Sequence, residues 1–224
     1  MRSPSEGRRR HCLQQLASGP LRDYFGRPFP PKSLDYRCVD YVALDLETTG
    51  LDAKQDQILS VGWVLVRGQR IDLASARHRL LRCDGDIPAE TAVIHQITDD
   101  EAATGLRLSR VLRELLGVLA GRVLIAHHAR IELSFLDAAC RDLYGAGLLV
   151  RCVDTEILAR RTFERRNIPF QPSELRLHSL CERYNLPRYR AHNAFYDALA
   201  AAELFLAQVA YRDNGAGFSL GDLL

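Results

Sequence analysis

The sequence predicts an α/β fold, a mixed sheet with helices on its faces. Three observations predict it. Residues 39–51 are a short apolar run that stops at Thr48-Thr49-Gly50. Residues 58–66 and 69–81 are two strand-like runs parted only by Arg67-Gly68, a hairpin break. From residue 109 onward, helical and strand patterns alternate. With 224 residues the chain can bury a core as one domain, with length left for arms.

The elements follow in order. Residues 1–38 read as an N-terminal arm: residues 1–10 are polar and basic and expected to be disordered, and residues 13–25 have helical spacing (Leu13, Leu16, Leu21, Phe25). Pro28, Pro30 and Pro31 then make a stiff linker, and the arm is expected to pack loosely. The domain proper runs from 39 to 211. After its first three strands, residues 84–104 are loop-rich, with a short helix expected within 91–98. Ser109 is placed to cap a helix whose apolar face is Val111, Leu112, Leu115, Leu116 and Leu119, and Gly121 stops it. Val123–Ala126 is a buried strand, Arg130–Tyr144 a helix and residues 148–153 a strand. Asp154 is placed as the N-cap of the next helix, residues 164–173 as a loop, and 174–184 and 193–210 as helices. The tail, 212–224, contains several glycines and is expected to fray.

Composition excludes several classes. Apolar residues make up 47% and charged residues 26%, which places the chain among soluble globular proteins. The net charge of +2 announces no global basic field for nucleic acid. Lys32 and Lys54 are the only lysines, so phosphate contacts would be guanidinium forks. The six cysteines form no C-x-x-C pair, which argues against a zinc site and against a disulfide scaffold. No apolar run reaches transmembrane length, and no apolar segment follows Arg8-Arg9-Arg10 to make a signal peptide; the expected compartment is the cytoplasm.

The first strand carries the chemistry. Val42, Leu44 and Leu46 alternate with Ala43, Asp45 and Glu47, so the two acids share one face. Neighbouring carboxylates at a strand end repel each other and resist desolvation, and a divalent cation between them relieves both costs. The other reading is a solvated edge strand. The flanking apolar run and the Thr48-Thr49-Gly50 stop count against it.

Two further stretches carry polar groups at element ends. His192 lies just before Asn193, a plausible N-cap, and Asp197 sits on the helix that follows, where the helix dipole favours an acid. Residues 126–136 are a strand end, His127-His128, and a helix carrying Glu132. Taken singly, these are equally well read as a turn histidine and solvated helix acids.

Together the three stretches resemble the DEDDh (DnaQ-like) 3′–5′ exonucleases, the proofreading exonuclease subunit of bacterial DNA polymerase III among them. Asp45, Glu47, Thr48, Thr49 and Gly50 match Asp-x-Glu-Thr-Thr/Ser-Gly. His127 to Leu136 resembles His-Asn-Ala-x-Phe-Asp-x-x-Phe-Leu, with Glu132 at the Asp position, His128 at the Asn and Ile131 at the first Phe. His192, Ala194, Asp197 and Ala198 match His-x-Ala-x-x-Asp-Ala. His95-Gln96-Ile97-Thr98 is similar to the family's His-Gly-Ile-Thr, and Asp154-Thr155 to its Asp-Thr.

The resemblance covers about residues 40–208 and implies a ribonuclease H-like fold, a mixed five-stranded sheet with helices on both faces. It implies two Mg²⁺ or Mn²⁺ ions, with Asp45, Glu47 and Asp197 on one, Asp45 shared with a second, and Glu132 supporting the second. It implies His192 as general base, so that activity falls at acidic pH. Thr48, Thr49, Leu51 and His95 would hold the terminal nucleotide, and a nucleoside 5′-monophosphate would leave the 3′ end of single-stranded or frayed DNA, or of RNA. Arg161, Arg165, Arg166 and Arg176, around a loop with Phe170, suit a strand approaching that site or a solvated charged surface. The few residues after Ala210 count against a long polymerase-binding extension.

Two other classes remain open on sequence alone: a nucleic-acid-binding module with a weakened site, and a scaffolding domain with chance acids. The extra methylene of Glu132 shifts its carboxylate by one carbon–carbon bond, and octahedral Mg²⁺ is strict about position. The Glu132→Asp variant should therefore cleave faster, or change its Mg²⁺/Mn²⁺ preference; steady-state rates with each metal, unchanged by the substitution, would dismiss this concern.

Overall fold

A computed structural model describes residues 3–83, 88, 95, 97–213 and 215–224. It contains one five-stranded sheet in the order β3-β2-β1-β4-β5, formed by β1 (Tyr41–Thr48), β2 (Ile58–Arg67), β3 (Arg70–Leu80), β4 (Val123–Ala126) and β5 (Cys152–Asp154). β1, β2 and β3 are antiparallel neighbours, and β4 and β5 run parallel to β1. This is the mixed five-stranded sheet the sequence implies. β5 is shorter than expected because β4 offers it only three partners, Leu124, Ile125 and Ala126.

The described helices are α1 (Glu6–Gln15), α2 (Pro20–Gly26), α3 (Asp99–Ala103), α4 (Leu108–Leu119), α5 (Arg130–Tyr144), α6 (Thr155–Arg165), α7 (Leu177–Arg183) and α8 (Ala194–Arg212). They cover both faces of the sheet. Tyr41 and Ala43 of β1 join a buried cluster with Val64, Ile125, Leu158, Leu180 and Phe205, under α6, α7 and α8. Val42, Leu44 and Leu46 point the other way, into a cluster with Phe25, Trp63, Leu112, Leu116 and Leu136, under α2, α4 and α5. The strict alternation of β1 therefore splits its residues between two cores. It puts Asp45 and Glu47 on the α8 face.

Both termini are built into these cores, contrary to the disorder and fraying expected of them. Ser5 caps α1 by accepting from the Arg8 N–H, and Pro20 opens α2. Leu21, Tyr24 and Phe25 are at most 2% exposed, because α2 fills the sheet face beside α4. At the other end, Leu220 and Leu223 enter the α8-side cluster, and Phe218 stacks on Tyr36 at 4.2 Å. Burial of these large apolar groups, at roughly 25 cal/mol per Å², outweighs the polar character of the flanking sequence.

Smaller differences have local causes. Ser109 lies inside α4, whose N-cap position is Arg107 with no side-chain cap bond. The helix expected over 174–184 is a 3-10 turn, Pro172–Leu175, then α7, because Arg176 between them is extended. Asp154 and Asn193 do cap α6 and α8, each accepting two backbone N–H groups. The short helix expected within 91–98 lies mostly outside the described residues. Among the described residues, no helix is long and apolar enough to cross a membrane.

One glycine positions α8. Gly62 of β2 pairs with Asp45 of β1. A Cβ at this position would fall inside contact distance of the Ala194 carbonyl and the Phe195 nitrogen, so the missing side chain lets the start of α8 lie directly on the sheet. Gly62→Ala should cost about 1–3 kcal/mol in chemical denaturation, the usual range for overpacking. Because it would push α8 away from Asp45, it should also cut any metal-dependent activity at least tenfold. Unchanged stability and activity would show that α8 has room to spare.

Candidate active site

β1 is paired along its length with β2, and at its start, Tyr41–Ala43, also with β4. The C-terminal ends of β1 and β4 open into a cleft of about 800 Å³, whose lining includes Asp45, Glu47, Glu132 and Asp197. A ligand oxygen from each of Asp45, Glu47 and Asp197 lies within 4.8 Å of the others. Asp45 and Glu47 come from one face of β1, and Asp197 from the first turn of α8. Glu132, from the first turn of α5, lines the same cleft but stands outside that three-way grouping.

The local backbone holds Asp197 in one orientation. Its Oδ2 accepts the backbone N–H groups of His192 at 2.8 Å and Asn193 at 3.2 Å, while its buried Oδ1 has no partner. His192 adopts φ +60°, which turns the chain so that its N–H faces the acid and its side chain lines the cleft. Glu132 is 4% exposed, and its Oε2 is likewise unpartnered. Two buried carboxylate oxygens aimed at one acidic cleft, with no basic side chain bonded to any of the four acids among the described residues, fit a cation held by oxygens. A donor set made only of carboxylates suits a hard divalent ion and not zinc.

Electrostatics agree. Burial pushes the Asp45 carboxyl well above its usual range, and the charges of Glu132, Asp197 and Glu47 add to it. Burial, then the Asp197 charge, pushes Glu47 up to about 8. Burial pushes Glu132 up to about 8 as well, opposed by its own N–H and reinforced by Asp154 and Glu47. Burial raises Asp197, with His178 and the two backbone N–H groups pulling it back.

The other expected site residues divide. Thr48, Leu51 and His95 line the cleft, and Leu51 is 78% exposed. His95 is buried, accepts the Ile97 N–H at Nδ1 and leaves Nε2 unpartnered. Thr49 does not line the cleft. Its N–H donates to the Gln57 carbonyl and its hydroxyl to Asp56, because these bonds close the turn after β1, so neither is free for a nucleotide. Arg176 lines the cleft, whereas Arg161, Arg165 and Arg166 do not.

Sequence reasoning missed several lining residues. Five of the seven histidines face this cleft: His95, His127, His128, His178 and His192. His127 Nδ1 meets the Thr155 hydroxyl at 2.8 Å, and His128 Nδ1 meets Glu156 at 2.7 Å. Asp154 binds the β4–α5 turn through the N–H groups of His128 and Ala129 while capping α6. His178 and Arg160 had no motif to mark them. Gly62 did carry a signal, as an isolated glycine inside an apolar strand pattern.

The raised carboxylates predict a pH dependence with a definite sign. Folded Glu47 and Glu132 keep their protons up to about 8, whereas unfolded glutamates lose them near 4.5, so the folded state binds more protons in between. Stability then falls as pH rises. His95 and His127, pushed down by burial, act in the opposite sense, but only below their ordinary value of 6.5. In chelator, the melting temperature should therefore fall between pH 7 and about 8, and Mg²⁺ or Asp45→Asn should reduce the fall. A melting temperature that rises over this window in chelator would contradict the clustering.

Comparison with known proteins bears on this geometry. The RNase_T family model, described as Exonuclease, matches residues 42–205. DNA polymerase III subunit epsilon of Treponema pallidum is 30% identical over 179 residues, which cover 79% of this chain and 80% of that protein. DNA polymerase III PolC-type of Thermotoga maritima is 30% identical over 166 residues, 74% of this chain but only 12% of that protein's length. The nuclease domain of 3′hExo, a DEDDh family member solved bound to rAMP, superposes with a TM-score of 0.67 at 12% identity, over 80% of this chain and 95% of that one.

Proposed function

The chain belongs to the RNase_T exonuclease family and is a 3′–5′ exonuclease of the DEDDh type, and we propose that it releases nucleoside 5′-monophosphates one at a time from the 3′ ends of DNA. The observation that carries this reading is the convergence of Asp45, Glu47 and Asp197 within 4.8 Å, beside buried Glu132.

Asp45, Glu47 and Asp197 would hold one Mg²⁺ or Mn²⁺, and Asp45 with Glu132 a second. When bound, such ions polarise the scissile phosphate and lower the pKa of the attacking water. The chain's own residues do the rest. His192, exposed at the cleft wall and anchored through its N–H to Asp197, takes the proton of the attacking water. Thr48, Leu51 and His95 form the surface on which the terminal sugar and base rest. Arg176, exposed and lining the cleft, meets the phosphate of the next nucleotide. The DNA substrate is inferred from the replication relatives, and RNA is the alternative that the assay decides. Glu132, where the resemblance has Asp, favours a second reading, a nucleic-acid-binding module with a weakened site.

The test is digestion of 5′-labelled single-stranded DNA and RNA with Mg²⁺ or Mn²⁺. A ladder shortening from the 3′ end is expected. Asp45→Ala should abolish it, and His192→Ala should lower turnover by about 10²–10⁴-fold, the usual range for a general base, while the metal-induced thermal shift persists. Near-normal turnover in His192→Ala would remove the base from that residue. No shortening by the folded wild type would leave the binding module.

A further inference from the structure

A second concentration of charge lies away from the cleft, on the outer side of α6 and α8. α6 serves the two places with different faces. Glu156 and Arg160, four residues apart, face the cleft, whereas Leu158, Arg161, Thr162 and Arg165 face a separate depression of about 180 Å³. The C-terminal part of α8 closes it with Gln208 and Arg212. An adjoining hollow shares Thr162, Arg165, Gln208 and Arg212 and adds Arg166 and Tyr211. None of these residues lines the cleft. Along α8, Arg212 is fifteen residues beyond Asp197, about 22 Å at 1.5 Å per residue.

Of the four arginines here, only Arg212 has an ion pair among the described residues, to Asp222 at 3.8 Å. Among the described residues, the Arg161 guanidinium has no ion pair or hydrogen bond, and Arg165 spends only its Nε, on the Arg161 carbonyl. Arg212 is fixed by the Asp222 carbonyl and stacks on Phe218. Arg166 lies over the ring of Tyr211, a side chain in a residue that is 58% exposed. Glu164 lines the depression without pairing to these arginines, and Asp222 is engaged by Ser219 and Arg212. Burial, then repulsion from Arg165, pushes the Arg212 guanidinium down; Asp222 pulls it back up, and Arg161 adds a smaller push down.

A second, independent observation is Gln208. It is 6% exposed, and its Nε2 donates to the Thr155 carbonyl at 2.9 Å. Among the described residues its buried Oε1 has no partner, although the residue lines both hollows. A buried acceptor without a donor beside unpaired guanidiniums calls for a ligand that offers negative oxygens and one hydroxyl.

We propose that this depression is a second, non-catalytic binding site for a phosphate group, held by Arg161, Arg165 and Arg212, with Gln208 accepting from a phosphate or sugar hydroxyl. Tyr211 with its stacked Arg166 stands next to it, where a base would find an aromatic surface. The phosphate belongs either to a free phosphate or mononucleotide or to the backbone of an RNA strand, whose 2′-hydroxyl supplies the donor and whose 3′ end lies elsewhere on the enzyme. The proposal is independent of the hydrolytic reading, and its failure would leave that reading untouched.

The test is thermal melting of the full chain in chelator, so that nothing is hydrolysed. The probes are inorganic phosphate, a nucleoside 5′-monophosphate and a single-stranded RNA oligonucleotide, each against chloride at equal ionic strength. The wild type should melt about 3 °C or more higher once a probe reaches ten times its Kd. Arg161→Gln/Arg165→Gln should lose at least two thirds of that rise, while Arg110→Gln/Arg113→Gln, with the same charge removed from α4, should keep it. A rise with inorganic phosphate or the mononucleotide identifies a phosphomonoester or free-phosphate site; a rise with the oligonucleotide alone identifies a backbone phosphodiester. The proposal is overturned if no probe shifts the wild type, if the α6 variant responds like the wild type, or if the α4 control loses the rise as fully as the α6 variant does. Without probe, the α6 variant should melt at or above the wild type, since its arginines make no side-chain ion pair. A markedly lower melt would overturn the claim that they are free.

Discussion

Four carboxylates facing one cleft without a basic side chain bonded to them set the terms for the whole structure. Burial of Asp45, Glu47, Asp197 and Glu132, and then their mutual repulsion, works against ionising them unless a cation joins them, and the surrounding protein supplies the rigidity to hold them meanwhile. β1 is paired with β2 at both acids, Asp45 opposite Gly62 and Glu47 opposite Ser60, so the two cannot swing apart. Asp197 is clasped by two backbone N–H groups, and Glu132 is buried at the start of a fifteen-residue helix. Each acid is thus fixed by main-chain structure, and among the described residues Asp197 Oδ1 and Glu132 Oε2 have no partner.

The layers explain how so unfavourable a cluster is maintained. One face of the sheet is sealed by α2, α4 and α5, the other by α6, α7 and α8, and the acids sit where the second layer ends. The hydrophobic contribution of two full cores is large beside the cost of one strained edge. The N-terminal arm belongs to this support, since Phe25 and Tyr24 complete the face beneath β1. α6 divides its sides between the catalytic cleft and the outer arginine depression, so one short helix borders both places where nucleic acid or its products would be held.

Much of this was legible in the sequence because it depends on local pattern. Alternation in β1 showed that Asp45 and Glu47 share a face, and the caps at Asp154 and Asn193 follow from side-chain chemistry at helix starts. The acid set was legible only through a resemblance, because Glu132 and Asp197 lie about 85 and 150 residues from Asp45 and no local rule brings them together. The packing of the arm is not legible locally: Arg8, Arg9 and Arg10 mask a helix, and the burial of Leu21, Tyr24 and Phe25 depends on a partner surface far along the chain. Thr49 shows a related limit: motif membership says nothing about which N–H groups the turn itself consumes. The histidine lining of the cleft, and the separation of Arg161 and Arg165 from it, are facts of three-dimensional placement alone.

The alternation of β1 also governs which genetic changes the gene could survive. Deleting or adding one residue between Tyr41 and Asp45 would rotate the strand's far end by half a turn, sending Leu44 and Leu46 toward the cleft and both acids into the packed layer beneath. Length variation should therefore be absent from this stretch among descendants of this gene. It should collect instead beyond the irregularity between Glu47 and Thr48, where the register with β2 already shifts and an added residue no longer decides which way a carboxylate points.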